Sequence, residues 1–406
     1  MSITKIRNCR SCKCVLTPLF SLGDLALTGH FPTEPSSTPT APLSVALCEA
    51  CSLVQLEHSV DASLLYGAGY GYRSSLNSSM ARHLLTKAER LSASYSPTSA
   101  LDIGSNDGTF LAALSKMGIR ELTGVDPILA VDGLTAKYPP GASLHAKLFD
   151  ESLVQSFTAQ RFDLVTTIAM FYDLDNPVAF ARAVADVLAE DGVWHLEQSY
   201  LPSMLSQLAY DTICHEHLEY YSLTALKFIL DQADLKIVRF CLNDVNGGSF
   251  ECDVAHRASS RFDEDPAVAG YLEMETLYGL RRVDVYLQFE KRMFQHREGL
   301  LCLLEALSKT TRIGALGAST KGNVLLQWCG LHRFVDAIGE VNSDKFGAYT
   351  PGTGIPIRDE ADMINQDFGA LLILPWHFRS SFLRLLQDYR SSGGRLIFPL
   401  PNVEIL

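Results

Sequence analysis

The sequence contains no apolar run near the roughly 18 residues that a membrane-spanning helix needs. It also lacks a basic stripe: 46 acidic residues outnumber 34 basic ones, and the formal charge is −12. Proteins that bind duplex nucleic acid usually carry such a stripe. Its first residues hold no apolar segment typical of a secretory signal. These absences argue against a membrane span, a nucleic acid partner and secretion, so we expect a cytoplasmic protein.

The length and composition of the chain are those of a globular protein with several domains. It has 406 residues, of which 47% are hydrophobic and 20% charged. From residue 100 onward, short apolar runs alternate with helical patterns, which is typical of βα units. We predict an α/β protein with a cysteine module over 1–60, a doubly wound parallel-sheet domain over 61–258, a helical linker over 259–309 and a Rossmann-like domain over 310–406.

The apolar periodicity also places individual elements in these domains. A helix is expected over 177–190, and a long helical stretch over 266–309. Strands are expected near 100–104, 122–126, 143–146, 162–168, 192–197, 236–243, 249–256, 313–317, 335–340, 370–374 and 395–398.

Two paired cysteine motifs stand near the start of the chain, Cys9-x-x-Cys12 and Cys48-x-x-Cys51. Two such turns can present four thiolates to a tetrahedral zinc ion, and four protein ligands make the site structural. Prolines between the pairs suggest a loop-rich insertion, and Cys14 is a bystander in this interpretation. The alternative is four unrelated buried cysteines.

A glycine-containing turn follows the first predicted strand of the parallel sheet. The turn carries Asp102, Gly104, Asn106, Asp107 and Gly108. It lacks the full G-x-G-x-x-G spacing that suits a pyrophosphate, so it favours S-adenosylmethionine over NAD; a tight turn without ligand is the third alternative. Asp126-Pro127 ends the next strand, where a carboxylate can accept from ribose hydroxyls, and Phe149 could flank the adenine.

The motif His215-Glu216-His217 places two imidazoles around a carboxylate, which suits proton abstraction near neutral pH. It is not H-E-x-x-H, and histidines two residues apart diverge on a helix, so a catalytic metal is not expected. Structural hydrogen bonding of the histidines is the alternative. Tyr70 and Tyr72 are candidates for hydrogen bonding a substrate or its developing oxyanion, or for a lid over the pocket.

The Rossmann-like domain opens with a strand, the turn Gly317-Ala318-Ser319 and a helix that begins near Thr320 and Lys321. A helix N-terminus with adjacent Ser, Thr and Lys is suited to a diphosphate, although Lys321 could equally be a solvated first-turn residue. Asn246 and Ser249 could add donors from the other domain, and Trp376-His377 could line the same cleft or simply pack.

Six motifs in fixed order resemble the sugar C-methyltransferases of deoxysugar biosynthesis. They are the two CxxC pairs, Tyr-Gly-Tyr-Arg-Ser-Ser, Asp-Ile-Gly-Ser-Asn-Asp-Gly-Thr-Phe, His-Glu-His, Asn-Gly-Gly-Ser and Gly-Ala-Ser-Thr-Lys-Gly-Asn, and they span nearly the whole chain. The resemblance implies three domains, a structural zinc, S-adenosylmethionine as cofactor and a nucleotide-linked 4-keto-hexose as substrate.

The same resemblance implies roles for individual residues. His217 would be the base that forms an enolate, Glu216 would orient or polarise the site, and the C-terminal domain would help hold the sugar nucleotide. The residues predicted to bind substrate are Asn246, Ser249, Lys321 and Asn323.

Two positions depart from the family pattern, and they leave the substrate open. Cys214 stands where many members have a tyrosine before His-Glu-His. Many members also have a histidine in the loop after the fourth strand, where this chain offers Tyr172 or Asp173 as a replacement. The alternative enzyme is an O-methyltransferase in which His217 deprotonates a hydroxyl. An RNA methyltransferase and a catalytically silent sugar-nucleotide binder are the other hypotheses, and the acidic charge argues against the former.

Overall fold

The computed structural model describes residues 2–35, 38–65, 72–131, 133–157, 160–366 and 368–406. Its strands are β1 Ile3–Lys5, β2 Thr17–Ala26, β3 Thr40–Leu47, β4 Val54–Leu56, β5 His58–Val60, β6 Ser99–Ile103, β7 Glu121–Val125, β8 Ser143–His145, β9 Phe162–Ile168, β10 Leu188–Ser199, β11 Glu219–Tyr220, β12 Leu235–Asn243, β13 Ser249–His256, β14 Ile313–Leu316, β15 Val335–Glu340, β16 Ile357–Asp359, β17 Ala370–Ile373, β18 Arg395–Phe398 and β19 Glu404–Ile405.

Helices connect and cover these strands. They are α1 Ala62–Leu65, α2 Ser78–Tyr95, α3 Thr109–Lys116, α4 Glu151–Ser156, α5 Pro177–Val187, α6 Leu201–Ser206, α7 Leu223–Asp231, α8 Ala267–Tyr278, α9 Val283–Ser308, α10 Thr320–Trp328, α11 Glu360–Ile364, α12 Arg379–Leu385 and α13 Gln387–Ser391. Within the described ranges, the chain forms no helix with the length and apolarity needed to cross a bilayer.

The cysteine module is a small antiparallel β structure. Its main sheet has the strand order β11-β4-β3-β2, and β1 pairs with β5 beside it. The expected loop-rich insertion is found only in part, because β2 and β3 take about half of the sequence between the two cysteine pairs. Pro32, Pro35 and Pro39 lie between these two strands and outside both. Pro18 and Pro42 lie within these strands, where the β2–β3 pairing shifts register. A proline is tolerated at such irregular or edge positions, so Pro42 does not mark a loop.

The central sheet has seven strands in the order β12-β13-β10-β9-β6-β7-β8. Strands β8, β7, β6, β9 and β10 run parallel, and β13 pairs antiparallel with both β10 and the edge strand β12. In a parallel sheet the strand ends that carry loops toward a ligand share one edge. The turn after β6, the acid after β7 and the loop after β9 therefore lie side by side.

A second, smaller sheet forms the C-terminal unit, with the order β16-β15-β14-β17-β18-β19. The first five strands are parallel, and only β19 pairs antiparallel. The unit packs on the cysteine module and α9 through one apolar core, in which the Phe20 and Phe289 rings lie 5.9 Å apart. The predicted α/β class with two βα sheets is therefore confirmed.

Two helix boundaries differ from the sequence expectation. The helix expected to end at residue 190 ends at Val187, and β10 begins at the next residue. The long helical stretch is broken at Gly279, whose φ of +84° ends α8 before α9 begins. A left-handed glycine is a common helix terminator, so the break has a local cause.

Candidate active site and metal centre

The four paired cysteines converge at the end of the cysteine module. Their Sγ atoms all lie within 4.8 Å of one another, with 3.5 Å between Cys9 and Cys51 and 3.3 Å between Cys12 and Cys48. A tetrahedral zinc with Zn–S bonds of about 2.3 Å separates its sulfurs by about 3.8 Å, so the cluster fits this ion. Cys14 is exposed and is not part of the cluster.

The turn after β6 is built for close approach to its backbone. Gly104 and Gly108 both have φ of +78°, and a Cβ at Gly108 would lie 2.7 Å from the Tyr138 ring. Tyr138 also donates its hydroxyl to the carbonyl of Asn106 at 2.8 Å. These contacts hold the turn at the carboxyl edge of the sheet, directly before α3.

Two buried carboxylates flank this turn. The Asp126 oxygens accept the backbone N–H groups of Asn106 at 2.8 Å and Ile128 at 3.0 Å. A carboxylate oxygen has two lone pairs, so each can still accept a ribose hydroxyl. Asp102 accepts the Thr166 hydroxyl at 2.6 Å, and burial raises the pKa of Asp102 to about 7, with the Asp126 charge adding to the shift. S-adenosylmethionine carries a sulfonium and an ammonium, so this acidic pocket fits it.

The other predicted cofactor residues lie around the same edge. Asp107 accepts the backbone N–H of Ser75 at 3.0 Å, and Asn106 accepts that of Ser74 at 3.1 Å. Pro127 begins the short helical turn after β7, and the half-buried Phe149 ring packs on Phe180 at 5.4 Å. The segment that follows residue 71 is thus tied to the cofactor turn.

One of the two candidate tyrosines, Tyr72, lies in the part of the chain that the structure describes. Tyr70 lies outside the described residues. Tyr72 is 46% exposed, and its carbonyl accepts the Asn106 side-chain N–H at 3.2 Å. The structure therefore brings Tyr72 to the cofactor turn.

His217 is oriented by the backbone. Its Nδ1 lies 2.9 Å from the carbonyl oxygen of Thr212, which can only accept, so Nδ1 carries the proton and Nε2 of the neutral ring carries a lone pair. Burial and the nearby Lys321 charge lower the pKa of His217 to about 3. The Tyr172 ring packs against the imidazole, with 4.1 Å between ring centroids. His217 is therefore a fixed, neutral imidazole.

The other two residues of the motif contact the cysteine module. Glu216 accepts the Thr28 hydroxyl at 3.0 Å, and burial raises the pKa of its carboxyl group. His215 donates to the Ala41 carbonyl at 3.0 Å, and burial lowers its pKa to about 4. The group that orients His217 is thus Thr212, which the sequence interpretation did not name.

His217 lies close to the region where the C-terminal unit meets the central sheet, because the charge of Lys321 acts on its imidazole. Lys321 donates from Nζ to the Asn246 carbonyl at 3.0 Å, which links the two units. A second link is the Trp376 indole, which donates to Asp211 at 2.8 Å. Burial lowers the pKa of Lys321, while the Asp211 carboxylate opposes the shift. The region around His217 thus combines a cation, an acidic side chain and a neutral imidazole.

The remaining predicted substrate residues make protein contacts. Ser249 donates its hydroxyl to the Val245 carbonyl at 2.9 Å, which supports the turn that carries Asn246. Asn323 is fully buried and donates to the Thr28 carbonyl at 2.7 Å. Ser249 thus bonds within its own turn, and Asn323 joins the C-terminal unit to the cysteine module.

The two departures from the family pattern lie in one place. Burial raises the pKa of the Cys214 thiol well above its ordinary value, and the Glu216 and Asp173 carboxylates add to the shift. The loop that carries Asp173 meets the His217 loop directly, because Leu218 donates its N–H to the Tyr172 carbonyl at 2.8 Å. A neutral thiol and an acidic side chain thus lie close together beside the His217 loop.

Sequence reasoning missed Thr212 and Asp211 as parts of the site. Thr212 acts through its main chain, so its side chain gives no signal. Asp211 pairs with Trp376 across 165 positions of sequence. The one available signal was an acidic residue close before His-Glu-His.

Comparisons with known proteins cover nearly the whole chain. Residues 9–66 match a zinc binding domain model, 76–239 a methyltransferase domain model, and 244–401 the C-methyltransferase C-terminal domain model. The C-methyltransferase NovU of Streptomyces niveus is 29% identical over 378 residues, which cover 90% of this chain and 87% of NovU. The chain thus combines a methyltransferase domain with a region that matches the C-terminal domain of C-methyltransferases. It is an S-adenosylmethionine-dependent methyltransferase with a zinc-binding N-terminal module, as the sequence resemblance predicted.

Solved methyltransferase structures resemble part of this chain. The plantazolicin methyltransferase BpumL in complex with SAH is 15% identical, covers 44% of this chain and 85% of its own, and has a TM-score of 0.35. The N-methyltransferase NodS of Bradyrhizobium japonicum is 16% identical, covers 43% and 95%, and has a TM-score of 0.34.

Proposed function

We propose that this methyltransferase adds a methyl group to a carbon of a nucleotide-linked keto-deoxysugar, and that His217 removes the proton next to the ketone. The C-methyltransferase family model and the relative named a C-methyltransferase support carbon as the acceptor. Carbon becomes a nucleophile only after an adjacent ketone lets a base take its proton. The proposal therefore depends on a base in the active site.

The observation that carries the proposal is the geometry of His217. The Thr212 carbonyl holds the proton on Nδ1, which leaves Nε2 as the acceptor. Because the pKa of His217 is lowered to about 3, the imidazole is neutral at every pH at which the protein would work. A base that is always deprotonated needs no prior proton loss.

Substrate binding would strengthen this base. After burial, the Lys321 charge is the main cause that lowers the pKa of His217. A diphosphate that pairs with Lys321 would offset that charge, and the basicity of His217 would rise when the substrate is in place. Lys321, Asn246, Ser249 and Asn323 are the residues proposed to hold the nucleotide side of the substrate, directly or through the contacts described above.

The cofactor supplies an electrophilic methyl group when bound, and the chain's task is to place and shield it. Asp102 and Asp126 provide negative charge and ribose acceptors, with Gly104, Asn106, Asp107 and Gly108 forming the turn. Pro127 and Phe149 border the pocket. Tyr72 and Tyr70 are proposed to donate to the developing enolate oxygen. Glu216, which bonds to Thr28 of the cysteine module, is proposed to polarise the site.

Product analysis tests the acceptor atom. The enzyme is incubated with ¹³C-methyl S-adenosylmethionine and a panel of nucleotide-linked 4-keto-deoxyhexoses, and NMR identifies the atom that bears the label. The proposal predicts a methyl group bonded to carbon. A methyl group on oxygen contradicts it and favours the O-methyltransferase alternative.

Lys321 offers a second test on the same substrates. Lys321→Met should raise KM for the sugar nucleotide more than it lowers kcat, because a lost phosphate contact mainly weakens binding. Lys309→Met, at an exposed position, is the matched control and should change neither. An equal loss in both variants would remove Lys321 from the nucleotide site.

A further inference from the structure

We propose that Arg10 is a positioning residue, which carries the geometry of the zinc cluster to the two loops that hold His217. The inference rests on the proposed function, because it takes His217 as the base. Arg10 lies between the metal ligands Cys9 and Cys12, yet its side chain is only 2% exposed. An arginine this deeply buried is unusual unless several acceptors bind it.

The first loop that Arg10 reaches is the one after His217. Its Nη1 donates to the Leu56 carbonyl at 2.6 Å. Leu56 in turn donates its own N–H to the Leu218 carbonyl at 2.8 Å, directly after His217. The next residues form β11, which pairs with β4 through Glu219 opposite Gln55. The backbone that carries His217 is therefore anchored on the strand that Arg10 binds.

The second loop follows β9. Arg10 donates from Nη2 to the Ser59 hydroxyl at 2.8 Å, and Ser59 donates to Asp175 at 2.7 Å. The Arg10 Nε also lies 3.6 Å from the same Asp175 oxygen. Asp175 stands just after Tyr172 and Asp173, and the Tyr172 ring packs on the His217 imidazole. One guanidinium thus links both walls around the base.

These contacts separate base positioning from cofactor binding. The groups that hold the cofactor turn are Tyr138, Ser74 and Ser75, and none of them bonds to Arg10. Loss of Arg10 should therefore displace His217 while the pocket beside Asp102 and Asp126 stays intact. A displacement of about 1 Å at a reacting group can cost about a hundredfold in rate.

Arg281 provides a matched control. It donates from Nε to the Ser52 hydroxyl at 2.9 Å, next to the metal ligand Cys51. Arg10 thus lies within one cysteine pair, and Arg281 bonds next to the other. Unlike Arg10, Arg281 bonds to Ser52 and not to Leu56 or Ser59. A general effect of losing an arginine beside the cluster would appear in both variants.

The experiment compares Arg10→Gln, Arg10→Lys, Ser59→Ala and Asp175→Ala with Arg281→Gln. Zinc content, the calorimetric affinity for S-adenosylhomocysteine and the histidine NMR spectrum are measured for each, with His217→Gln identifying the His217 signals. We expect one zinc per chain, cofactor affinity within about twofold, and shifted His217 signals in the first four variants only, least in Arg10→Lys. Turnover should fall about 10- to 100-fold in Arg10→Gln, as for other groups that orient functional residues.

Unchanged His217 signals in Arg10→Gln, Ser59→Ala and Asp175→Ala would overturn the inference, as would equal shifts in Arg281→Gln. If Arg10→Gln loses zinc, Ser59→Ala and Asp175→Ala decide, because the Asp175 side chain is 72% exposed and its loss should not unfold the protein. Failure of the proposed function is separate, since it would appear as full turnover in His217→Gln, whatever the NMR shows.

Discussion

The chain contains two βα sheets that begin alike and end differently. In the central sheet, β6 leads into a turn at Gly104, and Asp126 follows the neighbouring strand; in the C-terminal sheet, β14 leads into Gly317, and Glu340 ends the neighbouring strand. Both glycines have positive φ, +78° and +86°. By topology alone, each unit has the site of a Rossmann-type nucleotide.

The difference lies in what fills the space between turn and acid. In the C-terminal unit, Lys345 donates to the Ala318 carbonyl at 2.7 Å and lies 3.5 Å from Glu340. The Phe31 ring of the cysteine module sits 4.3 Å from the same ammonium. In the central unit, Asp126 accepts backbone N–H groups at the distances given above, and the charge of Arg73 lies near it. In the C-terminal unit, a lysine of the chain itself thus stands beside the acid, at the position where the central unit is proposed to hold its cofactor.

The largest expected effect follows from unfolding the cysteine module, whose Phe31 ring contacts Lys345 in the C-terminal unit. Cys9→Ser should lose the zinc, because three thiolates do not replace a structural four-ligand site, and the module should unfold. Hydrogen exchange should then rise near Ala318 and Lys345, while Gly104 to Asp126 stays protected. Cys14→Ser is the control and should keep its metal. An equal rise of hydrogen exchange at both turns would contradict the difference between the two units.

The next largest effect concerns cofactor affinity and the two corresponding acids, Asp126 and Glu340. Asp126→Asn should weaken S-adenosylhomocysteine binding at least about tenfold, because a charged acceptor of ribose hydroxyls is lost. Glu340→Gln should leave that affinity within about twofold. Titration calorimetry on both variants checks the pair. A comparable loss in Glu340→Gln would mean that the C-terminal acid also serves the cofactor.

Replacing Lys345 tests the same difference in the C-terminal unit. Lys345→Met should lower the free energy of unfolding by about 1–3 kcal/mol, since the Ala318 carbonyl and the Glu340 carboxylate lose a buried partner. Cofactor affinity should not change. Denaturant unfolding measures the first quantity and calorimetry the second. A variant as stable as the wild type would show that Lys345 does not hold the C-terminal turn.

The smallest effect is a pH dependence. Burial raises the pKa of Asp102 to about 7 and, with help from Glu340 and Asp359, that of Glu360 to about 7. The positive charge of bound S-adenosylmethionine favours the ionised form of Asp102. Below pH 7, Asp102 must therefore lose a proton when the cofactor binds. Affinity for S-adenosylmethionine should therefore rise with pH up to about 7 and then level, by up to about tenfold between pH 6 and 8.

Two variants check the assignment of this pH dependence. Asp102→Asn should flatten the profile, because it removes the titrating group, and Glu360→Gln should leave the profile as it is. The opposite outcome would assign the proton to the C-terminal unit.

Sequence reasoning located elements whose signals are local. Strand–turn–helix units with Gly104 and Gly317 follow from short apolar runs and glycine, and the β12–β13 pair follows from the turn between them. The cysteine spacing pointed to a cluster that the structure forms. These features require few contacts between distant residues.

The parts that were missed depend on distant contacts. The contact of Lys345 with Ala318 joins two loops, and the bond between Asp211 and Trp376 joins two units. The antiparallel strands β2 and β3 contain prolines that local rules assign to loops. The orientation of His217 depends on a main-chain carbonyl, which carries no residue-specific signal.

The central claim is that the neutral Nε2 of His217 takes a proton from substrate carbon. It is tested most directly by following exchange of the substrate C–H in D2O, with S-adenosylhomocysteine bound so that no methyl group can be transferred. Wild-type enzyme should exchange the hydrogen next to the ketone, and His217→Gln should slow that exchange by about 10²- to 10⁴-fold. Exchange at the wild-type rate in His217→Gln would contradict the account.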